Sequence, residues 1–558
     1  MNVVGGNPES RLGLALGENK RWEVLNLVRI IASIMAAGTH SQAEMPMTKI
    51  TRTSLIRFLT VVLLVLGLPF ISHGQSKFVT RRGKELLSPD GKPLLLKGIN
   101  LGNWLLPEGY MFKFKTANSP RLIQTVVNEL LGEDEARRFW TAFRENYITR
   151  KDIRFIKQSG FNSVRVPFSY RLFVSEGEQQ KLEGPGYELL DQVVTWCKKE
   201  GLSVVLDMHG APGGQTGDNI DDSWGYPFLF ESSESQELTV NIWRKIAARL
   251  RNEPAVLGYD LLNEPIAPYF DTAYLNPKLE PLYRKIVAGI REVDKNHLVF
   301  LGGAQWNGNF KVFGPPFDDK LAYTFHQYWM NVNKGAIQQY LDFRDKHNVP
   351  VWMGESGENT DQWIASYRTL LEQHHIGWYF WPYKKLDSTS CVASINPPAD
   401  WAAIVAFADG PRTTFEEVRK NRPPKDRAQK ALSDYLERIK FANCRINTGY
   451  LKALGLKSEL SRKISTNDLA KIFSDSLWSI CQPGSARCLE LTVPEIPARS
   501  SSPTIELSHT RSEPPSACPI TLNTSPNTIC GCTASGASVP AACASTKACS
   551  ICFAATKF

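Results

Sequence analysis

Eight short apolar segments between residues 94 and 383 constrain the fold more than any other feature of the sequence. Each is followed by polar residues and then by a stretch with helical spacing. Near-continuous apolar runs of this length are typical of parallel strands that are covered on both faces. The segments are LLLKGIN (94–100), NSVRVPF (162–168), LSVVLDMHG (202–210), VLGYDLLNEP (256–265), HLVFLGG (297–303), LAYTFHQY (321–328), VPVWMGESG (349–357) and HIGWYFWPY (375–383).

Amphipathic patterns between these segments predict the connecting helices. They include ELLDQVVTWCKKE before the third segment, QELTVNIWRKIAARL before the fourth, PLYRKIVAGIREV before the fifth and AIQQYLDFRDK before the seventh. Eight alternating units predict a closed (β/α)₈ barrel rather than an open doubly wound sheet. No GxGxxG or phosphate-binding glycine motif follows any segment, which argues against a nucleotide site.

The two ends of the chain differ from this middle part. Residues 47–74 have a basic start, an apolar run shorter than the ~20 residues of a spanning helix, and small residues at the end, so they predict a signal peptide cleaved after Gly74. We therefore expect secretion, extracellular or periplasmic, without stable membrane insertion. Residues 1–46 remain an unassigned extension, and we hypothesise that translation starts at Met45 or Met47.

Residues 457–558 form a tail rich in Ser, Pro, Thr and Cys, with little apolar periodicity. Disorder, a separate disulfide-linked module and an unnatural reading frame all remain open for it, and we assign it no function. Residues 75–456 contain every segment and are the predicted catalytic domain, expected to fold and act without either end.

The charges and cysteines argue against several classes of partner. The net charge of +9 comes from Lys and Arg scattered among Asp and Glu, so we expect no nucleic-acid partner. No cysteine pair has the partner spacing of a zinc site, and we expect no metal and no organic cofactor. The sequence leaves the oligomeric state and the disulfide pairing open.

Polar residues at the ends of the predicted strands mark the candidate site, because active sites of such barrels lie at the C-terminal ends of the strands. Two of them are glutamates, Glu264 on the fourth strand and Glu355 on the seventh, which face one another across the barrel. Paired carboxylates are what glycoside cleavage requires. The full set is Arg165, His209, Asn263, Glu264, His326, Tyr328, Glu355 and Trp381.

The motifs NSVRVPF, DMHG, LNEP, FHQYW, GES and WPY occur in this order, and over residues 78–455 the chain resembles glycoside hydrolase family 5, the cellulase family. The resemblance implies that Glu264 is the general acid/base and Glu355 the nucleophile. It also implies that Asn263 binds the sugar 2-hydroxyl in the −1 subsite.

For the other positions, the resemblance implies that Arg165 and Tyr328 flank Glu355 and that Trp381 forms the floor under the −1 sugar. His209 and His326 would hydrogen-bond the sugar or the catalytic groups. Each residue also has a structural alternative: a buried arginine can pair with carboxylates for stability, and histidines and tryptophans can pack in a core.

A finer resemblance lies in KGINLGNWLLPEG (97–109) together with DMHGAPGGQTGDN (207–219), which is similar to the exo-β-1,3-glucanase branch of the family. It implies that Glu108 contacts the non-reducing sugar. The next stretch, GYMFKFKTANSP, departs from that branch and leaves the linkage and endo or exo action open. Six aromatic residues could stack on sugars or plug the barrel ends: Trp224, Tyr226, Phe228, Trp306, Trp329 and Trp401.

The sequence therefore predicts a retaining β-glycosidase that hydrolyses β-1,3-, β-1,6- or β-1,4-linked glucan polysaccharides or oligosaccharides by double displacement. A β-mannanase or another β-glycanase is an alternative, because the fold and the catalytic pair do not determine the sugar. A carbohydrate-binding protein without catalysis is the alternative from another class. Both glutamates argue against it.

Overall fold

The computed structural model describes residues 77–175 and 181–458. The predicted extension 1–46, the signal peptide 47–74 and all of the tail beyond residue 458 lie outside these residues. The predicted catalytic domain lies almost wholly inside them.

Eight parallel strands close into a barrel, which confirms the predicted (β/α)₈ fold. A hairpin of β1 (Thr80–Arg82) and β2 (Glu85–Leu87) precedes the barrel. Around the ring the strands follow the order β10, β3, β4, β5, β6, β7, β8, β9, and each predicted segment overlaps one of them. They are β3 (Lys97–Asn100), β4 (Ser163–Ser169), β5 (Ser203–Gly210), β6 (Val256–Asp260), β7 (Leu298–Gly302), β8 (Leu321–His326), β9 (Val351–Glu355) and β10 (Gly377–Phe380).

Several strands end earlier than the apolar segments indicate. The fourth segment was expected to reach residue 265, but β6 ends at Asp260, so Glu264 lies in the loop after the strand rather than on it. Glu264 has φ 45° and Ile266 has φ 58°, which is left-handed backbone that cannot continue a strand. Tyr328 and Trp381 likewise follow the ends of β8 and β10.

The four expected helices are present, as Gly186–Glu200, Ser233–Leu250, Thr272–Arg291 and Lys334–His347. Their sequences place apolar residues on the face that covers the barrel. In the first, Leu190, Val193, Val194 and Cys197 are buried at helical spacing. The other helices of the described residues are Pro120–Leu131, Glu133–Tyr147, Arg150–Ser159, Asp361–Gln373, Trp401–Asp409, Phe415–Asn421, Lys425–Arg438 and Thr448–Ala453. A short turn at Ala304–Asn307 contains left-handed residues, and 3₁₀ turns lie at Gly109–Phe112, Tyr170–Leu172, Asn219–Asp221, Phe228–Phe230, Phe310–Val312 and Phe441–Asn443.

A small sheet after the barrel consists of β11 (Lys384–Leu386), β12 (Ala393–Ile395) and β13 (Arg445–Ile446). A fully buried ion pair holds it to the barrel, with Lys384 Nζ 2.7 Å from Asp152 Oδ1. Lys384 also donates to the backbone oxygens of Tyr147 at 2.6 Å and Ile439 at 2.9 Å. Residues 384–456 are thus an integral part of the barrel domain.

Within the described part of the chain, no helix is both long enough and apolar enough to span a membrane. The three cysteines there, Cys197, Cys391 and Cys444, are free thiols. Burial raises the pKa of Cys391 to about 12. This thiol is therefore protonated at neutral pH and unreactive.

Candidate active site

Arg165 on β4 is the centre of the predicted site and is fully buried. Its Nη1 donates to Asn100 Oδ1 at 3.0 Å and to Glu355 Oε1, and its Nη2 donates to Asn263 Oδ1 at 2.9 Å. One guanidinium thus fixes a residue from β3, a residue after β6 and the end of β9. The structure thus brings the predicted residues Asn263 and Glu355 to Arg165, together with Asn100, which was not predicted.

Two further carboxylates surround this guanidinium, and the sequence analysis missed both. Asp260 Oδ2 accepts from Arg165 Nε at 2.8 Å, and Asp207 Oδ1 lies 3.1 Å from Nη2. Burial raises the pKa of Asp207 and of Asp260 to about 7, although Arg165 opposes the rise. Burial alone lowers the pKa of Arg165, but these carboxylates and Glu355 raise it above its usual value. Three carboxyl groups therefore share one positive charge.

Glu355 is the last residue of β9 and is almost fully buried. Both of its oxygens are held, because Oε1 accepts from Arg165 and Oε2 accepts from the Tyr328 hydroxyl at 3.2 Å. Two donors and a positive charge stabilise a carboxylate in a fixed orientation. This arrangement suits a nucleophile.

Glu264 lies in the loop after β6, where His326 at the end of β8 contacts it. His326 Nδ1 is 3.1 Å from Glu264 Oε1, and the opposite ring nitrogen, Nε2, is 3.0 Å from Asn307 Nδ2. Burial lowers the pKa of His326 to about 3. The imidazole next to Glu264 is therefore neutral at physiological pH.

His209 at the end of β5 has a similar environment. Its Nδ1 is 2.8 Å from Asp207 Oδ2 and its Nε2 is 3.2 Å from Asn263 Nδ2. Burial lowers the pKa of His209 to about 4. The ring stacks on Trp381 with centroids 5.6 Å apart and an interplanar angle of 12°. Both predicted histidines are thus neutral and hydrogen-bonded to carboxyl groups.

The two predicted catalytic glutamates are close to each other. One oxygen of Glu264, one of Glu355 and a ring nitrogen of His326 all lie within 4.8 Å of one another. Carboxyl groups of retaining glycosidases are about 5–5.5 Å apart, whereas inverting enzymes need about 6.5–9.5 Å to admit a water molecule. The geometry fits direct attack by one carboxylate.

Two sets of side chains here could each bring three donor atoms to a cation, Asp207 with His209 and Glu355, and Glu264 with His326 and Glu355. Both sets depend on Glu355. Arg165 already compensates the charge of that carboxylate. A cation would have to compete with this guanidinium, so the donor sets do not favour a resident metal.

Trp381 lies at the floor of the site, in the loop after β10. Its Nε1 donates to the Tyr110 hydroxyl at 2.5 Å. A Cβ atom at Gly102 would lie 2.4 Å from the indole ring, so only glycine leaves room for it. Tyr110 belongs to the stretch GYMFKFKTANSP, which the sequence analysis treated only as a departure. That stretch contributes a wall of the site.

Glu108 stands next to this wall and is only 4% exposed. Its Oε1 accepts no hydrogen bond from the described residues. Burial first, and then the charges of Glu355, Glu358 and Glu264, raise its pKa well above the usual value. Lys385 faces it, paired with Glu358 at 2.6 Å. The sequence analysis missed Glu358 and Lys385, although the GESGEN motif carries a second glutamate.

The six aromatic candidates differ widely in how exposed their side chains are. Trp401 is only 3% exposed, stacks on Tyr435 with centroids 4.6 Å apart, and donates to the Phe112 oxygen at 2.9 Å. It is packed between Phe114 and Tyr435 outside the barrel and is not a stacking surface. Trp224 is 73% exposed, and the Arg121 guanidinium covers one face of its ring at 3.5 Å. Its other face can receive a ligand.

A row of aromatic rings extends from the Glu264 side of the site. Successive rings are 4.9–6.2 Å apart, and the row lies on the loops after β5, β6 and β7. It consists of Phe228, Tyr226, Phe270, Tyr269 and Trp306. Flat apolar rings match the C–H faces of sugars. Neighbouring rings are inclined by 57–79°, and Phe228 and Tyr269 are the exposed rings of the row.

Comparison with known proteins identifies the domain. Residues 118–387 match the family model of cellulase, glycosyl hydrolase family 5. These residues form a family 5 glycoside hydrolase domain. The match includes every predicted site residue except Glu108, and the chain is a glycoside hydrolase.

Several curated proteins are similar to this chain. β-Xylosidase of Phanerodontia chrysosporium is 28% identical in an alignment of 341 positions, which covers 54% of this chain and 70% of that protein. Endoglucanase C of Acetivibrio thermocellus is 29% identical in an alignment of 305 positions, which covers 44% of this chain and 86% of that protein. Probable glucan 1,3-β-glucosidase A of Aspergillus fumigatus is 29% identical in an alignment of 317 positions, which covers 54% of this chain and 74% of that protein.

Proposed function

We propose that this enzyme hydrolyses β-linked glucan with retention of anomeric configuration. The observation that carries the proposal is the approach of Glu264 and Glu355 to within 4.8 Å, with each carboxyl group held by separate partners. The similarity to an endoglucanase and to a probable glucan 1,3-β-glucosidase supports glucan as the substrate.

The reaction has two displacements. Glu355 attacks the anomeric carbon and forms an ester while the glycosidic C–O bond breaks and the proton of Glu264 moves to the departing oxygen. Water then attacks the same carbon, gives its proton to Glu264, and releases Glu355 as a carboxylate. Asn263 is placed by Arg165 to bind the 2-hydroxyl, and this hydrogen bond strengthens in the transition state.

Glu108 supports exo action as the finer proposal. A buried carboxyl oxygen without a protein partner gains a hydrogen bond when a sugar hydroxyl reaches it. Tyr110, Lys385 and Glu358 close the wall beside it, so the site holds a terminal sugar while the aromatic row receives the rest of the chain.

The sugar and the linkage are tested by incubating the purified protein with laminarin, pustulan, carboxymethyl cellulose, xylan and mannan and identifying the products. Glucose release from a β-glucan supports the proposal, and the anomer formed first should be β by NMR. Exclusive cleavage of mannan or xylan would favour another glycanase, since a β-xylosidase is also among the relatives. Binding without cleavage would indicate a non-catalytic protein.

The roles of the two glutamates are tested by azide rescue with an activated aryl β-glucoside. Glu355→Gly with azide should give the α-glucosyl azide by one inversion, and Glu264→Ala with azide should give the β-glucosyl azide by two. Exchange of the two products would mean that the roles are reversed.

We also propose that the protein is secreted. This proposal depends on the sequence of residues 47–74 and on the basic and apolar pattern described above. N-terminal sequencing of the protein from the medium should find Gln75 as the first residue. A product that retains residues 1–44 would contradict it.

A further inference from the structure

The loop after β7 has an unusual backbone. Three consecutive residues, Gln305, Trp306 and Asn307, have φ of 50°, 59° and 61°. Left-handed backbone is strained in residues other than glycine and often occurs at functional sites. The loop is held in place because Gln305 N donates to the Ile266 oxygen at 3.0 Å and the Gln305 side chain pairs with Asn276. It is thus joined to the loop that carries Glu264.

This backbone conformation places the side-chain amide of Asn307 next to the ring of His326. Asn307 is fully buried, and its Nδ2 lies 3.0 Å from His326 Nε2. An amide NH₂ group can only donate, so Nε2 must accept and the ring proton must be on Nδ1. Nδ1–H then donates to Glu264 Oε1 at 3.1 Å.

The second histidine of the site has the same arrangement. Asn263 Nδ2 faces Nε2 of His209, and Asp207 faces its Nδ1. In both cases an asparagine amide fixes the tautomer that donates to a carboxyl group. Within the described residues the side chain of Asn307 has no other hydrogen-bond partner, since its Oδ1 accepts none.

We propose that Asn307 is a positioning residue for the general acid/base: it fixes the His326 tautomer that holds Glu264 Oε1, so that Oε2 carries the proton to the glycosidic oxygen. This inference rests on the proposed function. In the first displacement the Oε2 proton moves to the leaving oxygen, and in the second Oε2 takes a proton from water. His326 keeps its own proton throughout.

The kinetic test uses Asn307→Gly, because glycine accepts the left-handed backbone without strain. For a β-glucoside with an alkyl leaving group, kcat/KM should fall about tenfold, a part of the 10²–10⁴ that general acid catalysis supplies. For the 2,4-dinitrophenyl β-glucoside, which departs without a proton, kcat/KM should be unchanged.

Asn309→Ala is the matched control, since Asn309 donates to Gln305 in the same loop at 2.7 Å and has no hydrogen bond to His326. Any effect of this change should be equal for the two substrates. An equal loss for both substrates in Asn307→Gly would overturn the proposal, because a merely structural role predicts that result.

The tautomer is tested directly by ¹⁵N NMR of histidine-labelled protein, with the His326 signals identified by their loss in His326→Gln. We expect Nδ1 protonated and Nε2 unprotonated in the native protein. Asn307→Asp tolerates the same backbone but only accepts, so Nε2 should become protonated. A protonated Nε2 in the native protein would overturn the proposal. Absence of any glycosidase activity would refute the proposed function instead, and NMR would still decide the tautomer.

Discussion

Two buried charge clusters in this protein are built in opposite ways. The anchor cluster has one cation, Lys384, and one carboxylate, Asp152, and every charged atom has partners: Lys384 has three acceptors, while Asp152 accepts from Thr149 and Tyr383. The cleft cluster has one cation, Arg165, and three carboxyl groups, Asp207, Asp260 and Glu355.

This difference suits the anchor cluster to stabilising the fold and the cleft cluster to a chemical reaction. A buried charge with complete hydrogen bonding locks structure and leaves nothing to react. Burial first, and then the charge of neighbouring carboxylates, raises the pKa of Asp207 and Asp260, and Glu355 lies at the edge that faces the cleft. Only the second cluster can offer a carboxylate to a substrate.

The largest expected effect is the loss of activity when the cleft cluster is changed at Glu355. Glu355→Gln removes the nucleophile and should lower kcat/KM by about 10⁴-fold or more, since no glycosyl-enzyme can form. The free energy of unfolding should not fall, because only one of the three carboxyl groups around Arg165 is replaced and the other two can still pair with it. Steady-state kinetics and urea unfolding of the same sample measure both. A glutamine variant with substantial activity would remove Glu355 from the mechanism.

The next effect concerns the anchor cluster. Lys384→Met leaves Asp152 buried without its cation and should lower the free energy of unfolding by about 3–5 kcal/mol. The kcat/KM of the folded fraction should be nearly unchanged, since Lys384 touches no predicted site residue. Urea unfolding and activity at low temperature measure these. A selective loss of activity with normal stability would contradict the assignment of the anchor cluster to stability alone.

A smaller effect appears in the pH dependence of stability. Asp207 and Asp260 keep their protons up to about pH 7 in the folded chain, whereas an unfolded aspartate loses its proton near pH 3.9. Between these values the folded form binds more protons, so this contribution to stability is fully present below about pH 4 and is lost as the pH rises to about 7.

Asp260→Asn removes one of these two groups. Its free energy of unfolding, relative to the native protein, should rise by about 1–3 kcal/mol between pH 4 and pH 7. Parallel pH profiles of Asp260→Asn and the native protein would mean that the aspartates titrate normally.

The smallest effect comes from one matched pair of hydroxyl groups. Tyr328 donates to Glu355 at 3.2 Å and Tyr383 donates to Asp152 at 3.0 Å. Tyr328→Phe should lower kcat/KM by about tenfold with little change in stability, and Tyr383→Phe should lower stability by about 1.5 kcal/mol with little change in kcat/KM. The same response in both variants would remove the distinction between the clusters.

The motifs in the sequence identified most residues of the candidate site. They did not identify Asp207, Asp260 and Asn307, which contact those residues and position them. Asp207 and Asp260 are single acids inside apolar strands, and this was the available signal, since an acid rarely occupies such a position without a partner. Asn307 has no comparable signal. Its role depends on three left-handed residues and on a histidine from the next strand.

The sequence by itself determined the barrel and brought the two predicted catalytic glutamates to the same face of it. Apolar periodicity is local, and eight repeats leave one closed arrangement whose strand ends meet at a single face. Only the tertiary structure decided the charge balance around Arg165, the tautomers of the histidines and the fit of Trp381 against Gly102. These depend on ångström distances between residues as far apart as 165 and 355, where desolvation and hydrogen-bond geometry, not local propensity, set the energies.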